Sequence, residues 1–174
     1  TVVFDKTGTL TKGSFKVTEI HSDNPKLLEY AAGAEGASSH PIALAIKKAY
    51  GKDIPEAVNI REFAGLGVKA VVEGHEITAG NAKFVNAEPV SADAVYISID
   101  GKYSGYIVVA DEIKEDAGAA VQALKKLGIN TVMLTGDSKN TALKVQEALG
   151  IKQAYAELLP QNKVEKIEEL INRS

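Results

Sequence analysis

The chain has 174 residues, of which 45% are hydrophobic and 25% are charged, and these ordinary globular values exclude disordered, collagen-like and low-complexity classes. With 20 basic and 23 acidic side chains the net charge is −3, so there is no basic footprint for nucleic acid or for an anionic membrane surface. The absence of cysteine excludes a disulfide scaffold, a thiolate zinc site and a cysteine nucleophile.

The first part of the chain predicts two strands and then two helices. Thr1–Phe4 is β-branched or apolar throughout, which is typical of a strand covered on both faces in a parallel sheet. Because the chain begins inside this strand, we expect it to be a fragment of a longer protein. A second strand is predicted over Phe15–Ile20. Helices are predicted over Lys26–Glu35 and over Pro41–Ala49, where apolar residues keep a helical period.

Between Ala57 and Ala110 the apolar residues recur with a period of two. Apolar and polar residues alternate there in short runs, and the turn-forming pairs Glu73-Gly74 and Asp100-Gly101 separate neighbouring runs. This pattern predicts an antiparallel meander. Its predicted strands are Val58–Phe63, Gly67–Val72, Glu76–Ala79, Ala94–Ile99 and Tyr103–Val109.

After Asp111 helices and strands alternate. Apolar positions from Ile113 to Leu127 predict a helix with an acidic start at 111–116, and Ile129–Leu134 predicts a buried strand. A helix capped by Asp137 or Ser138, a short strand and a last helix complete an αβαβα order, which is typical of a doubly wound sheet. The last helix is expected to turn four apolar side chains inward: Val164, Ile167, Leu170 and Ile171. One α/β unit is therefore split by an α+β insert.

The residues after the first strand have the pattern of a nucleophile loop. Asp5 lies at the carboxyl end of a strand, where parallel sheets bind ligands. A carboxylate there can attack a phosphoryl group, whereas an isolated Asp more often only forms a turn. Residues 5–11 have the sequence DKTGTLT, which resembles the phosphorylation motif of P-type ATPases. The resemblance implies that Asp5 is phosphorylated and that Lys6 and Thr7 belong to the catalytic loop.

Two later segments resemble other parts of that family's phosphorylation site. Thr135, Gly136 and Asp137 form a TGD turn after the second buried strand, and by itself such a turn can be a simple helix cap. The resemblance implies that Thr135 and Gly136 hold the transferred phosphate. Lys163 alone would be a solvated surface residue, but in the string LLPQNK it resembles the family's phosphate-neutralising lysine.

Position 7 separates two kinds of enzyme. Haloacid dehalogenase-type phosphatases share the aspartate nucleophile but usually carry a second Asp two residues later, which activates water. This chain has Thr7 there. Without a general base, worth roughly 10²–10⁴-fold in rate, an aspartyl phosphate is expected to persist. A persistent intermediate favours a pump, which must change shape before hydrolysis, over a small-molecule phosphatase.

The insert contains a second group of motifs. Residues 39–41, Ser-His-Pro, resemble the HP motif of heavy-metal-transporting P-type ATPases, although a lone His at a helix start is usually a cap or a surface residue. Gly-Leu-Gly at 65–67 and Gly-Asn at 80–81 are turn geometry when taken alone, and the resemblance assigns both to the nucleotide pocket. The implied ATP-binding residues are Ser39, His40, Gly65, Gly67, Gly80 and Asn81.

The sequence also departs from the family pattern. Many members, notably copper pumps, have Glu where this chain has Ser39, and this difference, with Glu157–Pro160, favours the zinc, cadmium, cobalt and lead branch. No GDGxNDxP motif follows Lys163, although its first Asp is a Mg²⁺ ligand in the family. Mg²⁺ would then be held by Asp5 and Thr7 alone. We therefore expect this chain by itself to bind ATP but to be phosphorylated poorly.

The resemblance implies a haloacid dehalogenase-like α/β fold, with an incomplete parallel sheet and an inserted antiparallel sheet flanked by helices. Residues 1–13 and 111–174 would form a truncated phosphorylation domain, and residues 14–110 the nucleotide-binding domain. The implied function is the ATP-binding and phosphorylation portion of a heavy-metal cation-exporting P-type ATPase. The alternatives are a copper-transporting pump, a haloacid dehalogenase-type phosphatase, and a nucleotide-binding module without chemistry.

The resemblance also implies ATP and Mg²⁺ as cofactors. The implied partners are the membrane and actuator domains of a parent pump, and the transported ion would be bound only in a membrane part that this chain lacks. The chain would be a soluble, cytoplasmic portion of an integral membrane protein.

Overall fold

The computed structural model describes residues 1–90 and 93–173, and the chain forms two compact units. The first unit joins Thr1–Ser14 to Asp111–Ser174, and the second is Phe15–Ala110. Each unit has its own cluster of buried apolar side chains.

In chain order the strands are β1 (Val2–Asp5), β2 (Thr11–His21), β3 (Ala57–Phe63), β4 (Gly67–Val72), β5 (His75–Gly80), β6 (Ala94–Ile99), β7 (Lys102–Ile113), β8 (Thr131–Leu134) and β9 (Gln153–Tyr155). The helices are α1 (Leu27–Ala34), α2 (Pro41–Tyr50), α3 (Ala117–Lys126), α4 (Lys139–Leu149) and α5 (Pro160–Asn172). A π-type turn over Lys6–Leu10 links β1 to β2. Of the helices described, none is both long and apolar enough to span a bilayer.

The first unit contains a parallel sheet with the strand order β1-β8-β9. Asp5 of β1 pairs with Leu134 of β8, and Leu134 pairs in turn with Tyr155 of β9. The three strands therefore end at the same edge, so the residues that follow them are neighbours. The core of this unit packs α3 and α4 against the sheet, with Val121 and Met133 fully buried.

The second unit contains an antiparallel sheet with the strand order β2-β7-β6-β5-β4-β3. Helices α1 and α2 pack together, and α1 packs on β4 and β5. Large apolar side chains from both helices and the sheet form the core: Leu27, Ile46, Val72, Ile77, Ile97 and Ile107. The parallel sheet and the antiparallel meander predicted from the sequence are both confirmed.

Strands β2 and β7 are longer than the pattern predicts. β2 begins at Thr11 instead of Phe15, and β7 continues to Ile113, so Asp111 lies in a strand and not at the acidic start of a helix. The side chain of Thr11 donates a 2.6 Å hydrogen bond to Asp111 Oδ2, which ties the two strands together. Most of β2 is exposed on both faces, so it lacks the alternation that marks a strand in a sequence.

Two predictions of burial are wrong. Val2, Val3 and Phe4 are only half-buried, since β1 lies at the edge of its sheet in the part of the chain that the structure describes, whereas the neighbouring β8 is buried throughout. Helix α5 is amphipathic as predicted, but Val164 is 58% exposed and Ile171 is 66% exposed. An amphipathic pattern specifies an apolar stripe and does not specify which element covers it.

Candidate functional site

Asp5 is an exposed carboxylate at the end of β1, and the ammonium of Lys163 lies beside it. Its side chain is 56% exposed, and Lys163 Nζ donates a 3.0 Å hydrogen bond to Asp5 Oδ1. Lys163 lies in the first half of α5, which begins at Pro160, where a ring without an N–H fits the first turn. An accessible carboxylate beside a fixed positive charge suits nucleophilic attack on an anionic group, because the lysine offsets the charge repulsion.

The loop after Asp5 turns back sharply at Gly8. Gly8 has a left-handed φ of 77°, which a side chain would strain, and its N–H donates to Thr11 Oγ1 at 3.3 Å. Thr7 is exposed in this loop. Lys6 is buried, and its ammonium lies 2.7 Å from Asp137 Oδ2. Of the three loop residues predicted to serve the reaction, Asp5 and Thr7 therefore face solvent and Lys6 does not.

The TGD turn follows β8 directly, next to the end of β1. The Thr135 side chain is buried, and its Oγ1 accepts a hydrogen bond from the Asp137 N–H at 3.1 Å, while Gly136 is exposed. Ser138, and not Asp137, caps α4 by accepting from the Thr141 N–H at 3.3 Å. Of the two cap candidates, Ser138 is thus confirmed; the Asp137 side chain is instead paired with Lys6.

The oxygen atoms at this edge of the sheet suit Mg²⁺. Mg²⁺ prefers hard oxygen ligands and keeps several waters, so one carboxylate and one carbonyl are a sufficient protein contribution. The exposed Asp5 carboxylate and the carbonyl of the exposed Thr7 fit that requirement. Among residues 1–90 and 93–173, no group of three or more His, Asp or Glu side chains could hold a metal ion.

The second unit has a cleft of about 660 Å³ at the start of α2, the end of β3, the start of β4 and the end of β5. His40 lines it and caps α2, because His40 Nδ1 accepts from the Ile42 N–H at 3.2 Å. A neutral ring that accepts at Nδ1 carries its proton on Nε2, so His40 can offer a donor to a ligand. Other predicted residues that line the cleft are Gly65, Gly67, Gly80 and Asn81. Ser38 lines it as well, whereas Ser39 is not among its lining residues.

The Gly-Leu-Gly motif at 65–67 and the Gly-Asn motif at 80–81 are in direct backbone contact. Gly67 of β4 pairs with Gly80 of β5, and a Cβ on Gly80 would lie 2.1 Å from the Leu66 carbonyl oxygen. Asn81 adds two hydrogen bonds, from its backbone N–H to Leu66 O at 3.0 Å and from Nδ2 to Gly65 O at 3.1 Å. The glycines therefore allow two backbones to touch, which gives the cleft a wall made of main chain.

Two carboxylates in the cleft were not predicted from the sequence. Glu35 and Glu62 line it, and Glu35 follows α1 directly, a position at which an acidic residue resembles ordinary solvated surface. Burial raises the pKa of the Glu35 carboxyl above its usual 4.5, the charge of Glu62 raises it further, and Lys47 lowers it. Lys47 also donates to the carbonyls of Gly36 and Ser38, at 3.2 and 2.8 Å, which holds the turn before His40.

A family model described as haloacid dehalogenase-like hydrolase matches residues 1–174. A zinc-transporting ATPase of Synechocystis sp. is 47% identical, over 100% of this chain and 26% of the relative. A cadmium, zinc and cobalt-transporting ATPase of Bacillus subtilis is 50% identical, over 97% of this chain and 26% of the relative. A copper-exporting P-type ATPase B of Archaeoglobus fulgidus is 37% identical, over 97% and 27% respectively.

The similarity extends to solved structures. The crystal structure of a zinc-transporting PIB-type ATPase in the E2.Pi state matches with a TM-score of 0.85 and 31% identity, over 99% of this chain and 31% of that chain. The predicted resemblance to heavy-metal P-type ATPases is thereby confirmed. The chain spans about a quarter of the length of the curated relatives that it matches.

Replacing Gly80 by Ala is expected to destabilise the second unit by about 2 kcal/mol or more, because the new methyl group would overlap the Leu66 carbonyl. Gly74→Ala is the control: Gly74, unlike Gly80, has a positive φ, of 81°, but a Cβ there meets nothing within 4 Å. The control should cost about 1 kcal/mol from backbone strain alone. Urea unfolding measures both variants, and equal losses would contradict the close approach of β4 and β5.

Replacing Glu35 by Gln is expected to stabilise the second unit by an amount that grows with pH. A carboxyl whose folded-state pKa lies above 4.5 removes stability from the wild type as the pH rises from the unfolded-state pKa through the folded-state pKa. The variant lacks this loss. Urea unfolding at about pH 5 and about pH 8 measures the difference, with Glu88→Gln, at an exposed site, as the control. A difference independent of pH would contradict a raised pKa.

Proposed function

Because the chain belongs to the haloacid dehalogenase-like hydrolase family, we propose that it is the ATP-binding and phosphorylation portion of a heavy-metal cation-exporting P-type ATPase. ATP phosphorylates Asp5 in this proposal, and the aspartyl phosphate drives ion transport. The observation that carries the proposal is the Asp5 carboxylate itself, which is exposed at the end of β1, lies 3.0 Å from Lys163 and adjoins the TGD turn.

The proposed reaction is a phosphoryl transfer. A carboxylate oxygen of Asp5 attacks the γ-phosphorus of ATP, a P–O bond to Asp5 forms, and the bond from the γ-phosphorus to the β,γ-bridging oxygen breaks. ADP leaves with that electron pair. Such transfers depend mainly on positioning and on stabilisation of negative charge. Lys163 supplies a positive charge at Asp5, and the exposed Gly136 N–H and the Thr135 hydroxyl are the proposed donors to the transferred phosphoryl oxygens.

Mg²⁺ is the proposed metal cofactor, held by the Asp5 carboxylate and the Thr7 carbonyl. When bound, it would neutralise part of the charge on the phosphate oxygens. In this proposal Thr7 also affects how fast the aspartyl phosphate is hydrolysed. Because a threonine hydroxyl is a poor general base, the residue two positions after the nucleophile does not activate water against the aspartyl phosphate.

The cleft of the second unit is the proposed ATP site. Its volume, about 660 Å³, lies within the usual range for small-molecule sites. The main-chain wall at Gly67 and Gly80 suits the flat face of a nucleotide base. His40 Nε2 is the proposed hydrogen-bond donor to that base. Ser39, predicted beside His40, is proposed only as part of the turn, since Ser38 lines the cleft.

Higher identity to the zinc, cadmium and cobalt transporters than to the copper exporter supports a divalent heavy-metal ion as the cargo. The proposed partners are the membrane and actuator domains of the full-length pump, with this portion on the cytoplasmic side of the membrane. No residue of the chain is proposed to bind the transported ion.

Replacing Asp5 by Asn is expected to abolish phosphorylation. The natural polypeptide that contains these residues is incubated with [γ-³²P]ATP and Mg²⁺, and the acid-stable label that hydroxylamine releases is measured. Asn retains the shape of the side chain but is not a nucleophile, so the label should fall to background. Asp23→Asn, at an exposed site in the second unit, should label as the wild type does. Label retained by Asp5→Asn, or fast turnover of p-nitrophenyl phosphate, would contradict the proposal.

Replacing His40 separates its two contacts. His40→Ala removes both the imidazole and the α2 cap, whereas His40→Asn removes the imidazole and leaves a side chain that can still cap. Calorimetric titration of the chain with ATP should show about tenfold weaker binding in both variants. Only His40→Ala should lose about 1 kcal/mol of stability to urea. Wild-type ATP affinity in His40→Asn would exclude the histidine from the nucleotide site.

A further inference from the structure

We propose that Lys6 is a positioning residue that holds the TGD turn in place through Asp137 and does not contact the transferred phosphoryl group. This inference deepens the proposed function and rests on it. Lys6 and Lys163 therefore have different roles in this proposal, although the resemblance described above implies that both take part in the reaction.

The first observation is the burial of Lys6. Its side chain is 4% exposed although it directly follows the exposed nucleophile, and its Nζ lies 2.7 Å from Asp137 Oδ2. Lysine is almost never this buried unless its charge is paired. The Lys6 ammonium is therefore paired with Asp137. The Lys163 side chain is 29% exposed, and its ammonium is paired with Asp5.

The second observation is how Asp137 is held. Its N–H donates to Thr135 Oγ1 at 3.1 Å, and its carbonyl accepts from the Glu157 N–H at 2.8 Å. Leu158 N–H donates to the Thr135 carbonyl at 3.1 Å. Backbone hydrogen bonds thus connect the TGD turn to the loop after β9. The ion pair between Lys6 and Asp137 connects the same turn to the loop after β1.

These contacts imply that the Lys6–Asp137 ion pair sets the position of the TGD turn relative to Asp5. Asp5 and the TGD turn come from different strands, so their separation depends on whatever links the two loops. The Lys6–Asp137 pair makes that link with two side chains whose charges offset each other, which leaves the net charge at the phosphate unchanged. A substitution of either partner would allow Thr135 and Gly136 to move relative to Asp5, and phosphoryl transfer is sensitive to such movement.

The test is a double-mutant cycle in the natural polypeptide that contains these residues, with Lys6→Met, Asp137→Asn and the two combined. The rate of hydroxylamine-labile labelling at saturating [γ-³²P]ATP and the affinity for ATP are measured. Each single variant should label about 100-fold more slowly, the loss typical of a displacement of about 1 Å, with ATP affinity unchanged. The combined variant should be no more than about threefold slower than the slower single variant, because both substitutions break one contact.

Two outcomes would overturn the inference. Losses that multiply in the combined variant would mean that Lys6 acts on the phosphoryl group independently of Asp137. Normal labelling by Lys6→Met would mean that the pair positions nothing. Asp137→Glu keeps the charge at a site that is 41% exposed and should stay within about tenfold of the wild type.

Loss of folding is followed separately by circular dichroism. If Lys6→Met does not fold, Asp137→Asn and Asp137→Glu decide the matter, since equal labelling rates in these two would also overturn the inference. Failure of the proposed function is recognised independently, because the wild type would then carry no label, or carry one that Asp5→Asn retains.

Discussion

The parallel pairing of β1 with β8 is the constraint on which the candidate catalytic site depends. It aligns Asp5 with Leu134, so Thr135 and Gly136 emerge beside Asp5. A shift by one residue would turn every side chain of β1 to the opposite face. The neighbouring strand β8 is buried along its whole length.

Charge at this edge of the sheet is balanced in pairs. Lys163 is matched by Asp5, and Lys6 is matched by Asp137. The two pairs differ in exposure, and the difference has a chemical consequence. In the proposed reaction, the exposed pair could reorganise when Asp5 becomes an acyl phosphate, because Lys163 could follow the added charge. The buried lysine cannot leave its partner without becoming an uncompensated buried charge, so we expect it to stay in place during the proposed reaction.

The order of helices and strands, the parallel sheet and the meander could be predicted because each depends on a local period of apolar residues. What could not be predicted depends on pairing between distant residues. Most of β2 is exposed on both faces, so its start at Thr11, whose side chain bonds to Asp111, has no local signal in the sequence. The burial of Lys6 and the pairing of Gly67 with Gly80 are likewise tertiary effects, for which neither motif contains a local signal. The apolar stripe of α5 is visible in the sequence, but its exposure is not.

The lining of the cleft determines how a nucleotide can enter it. Its described lining residues include the carboxylates Glu35 and Glu62 and include no Lys or Arg. A triphosphate inside such a cleft would meet like charge in a partly buried setting, which is unfavourable. A base, by contrast, meets apolar side chains, the main-chain wall and the His40 donor. Under the proposed function, the base is therefore the part of ATP that the cleft would accept, and the phosphates would extend away from it.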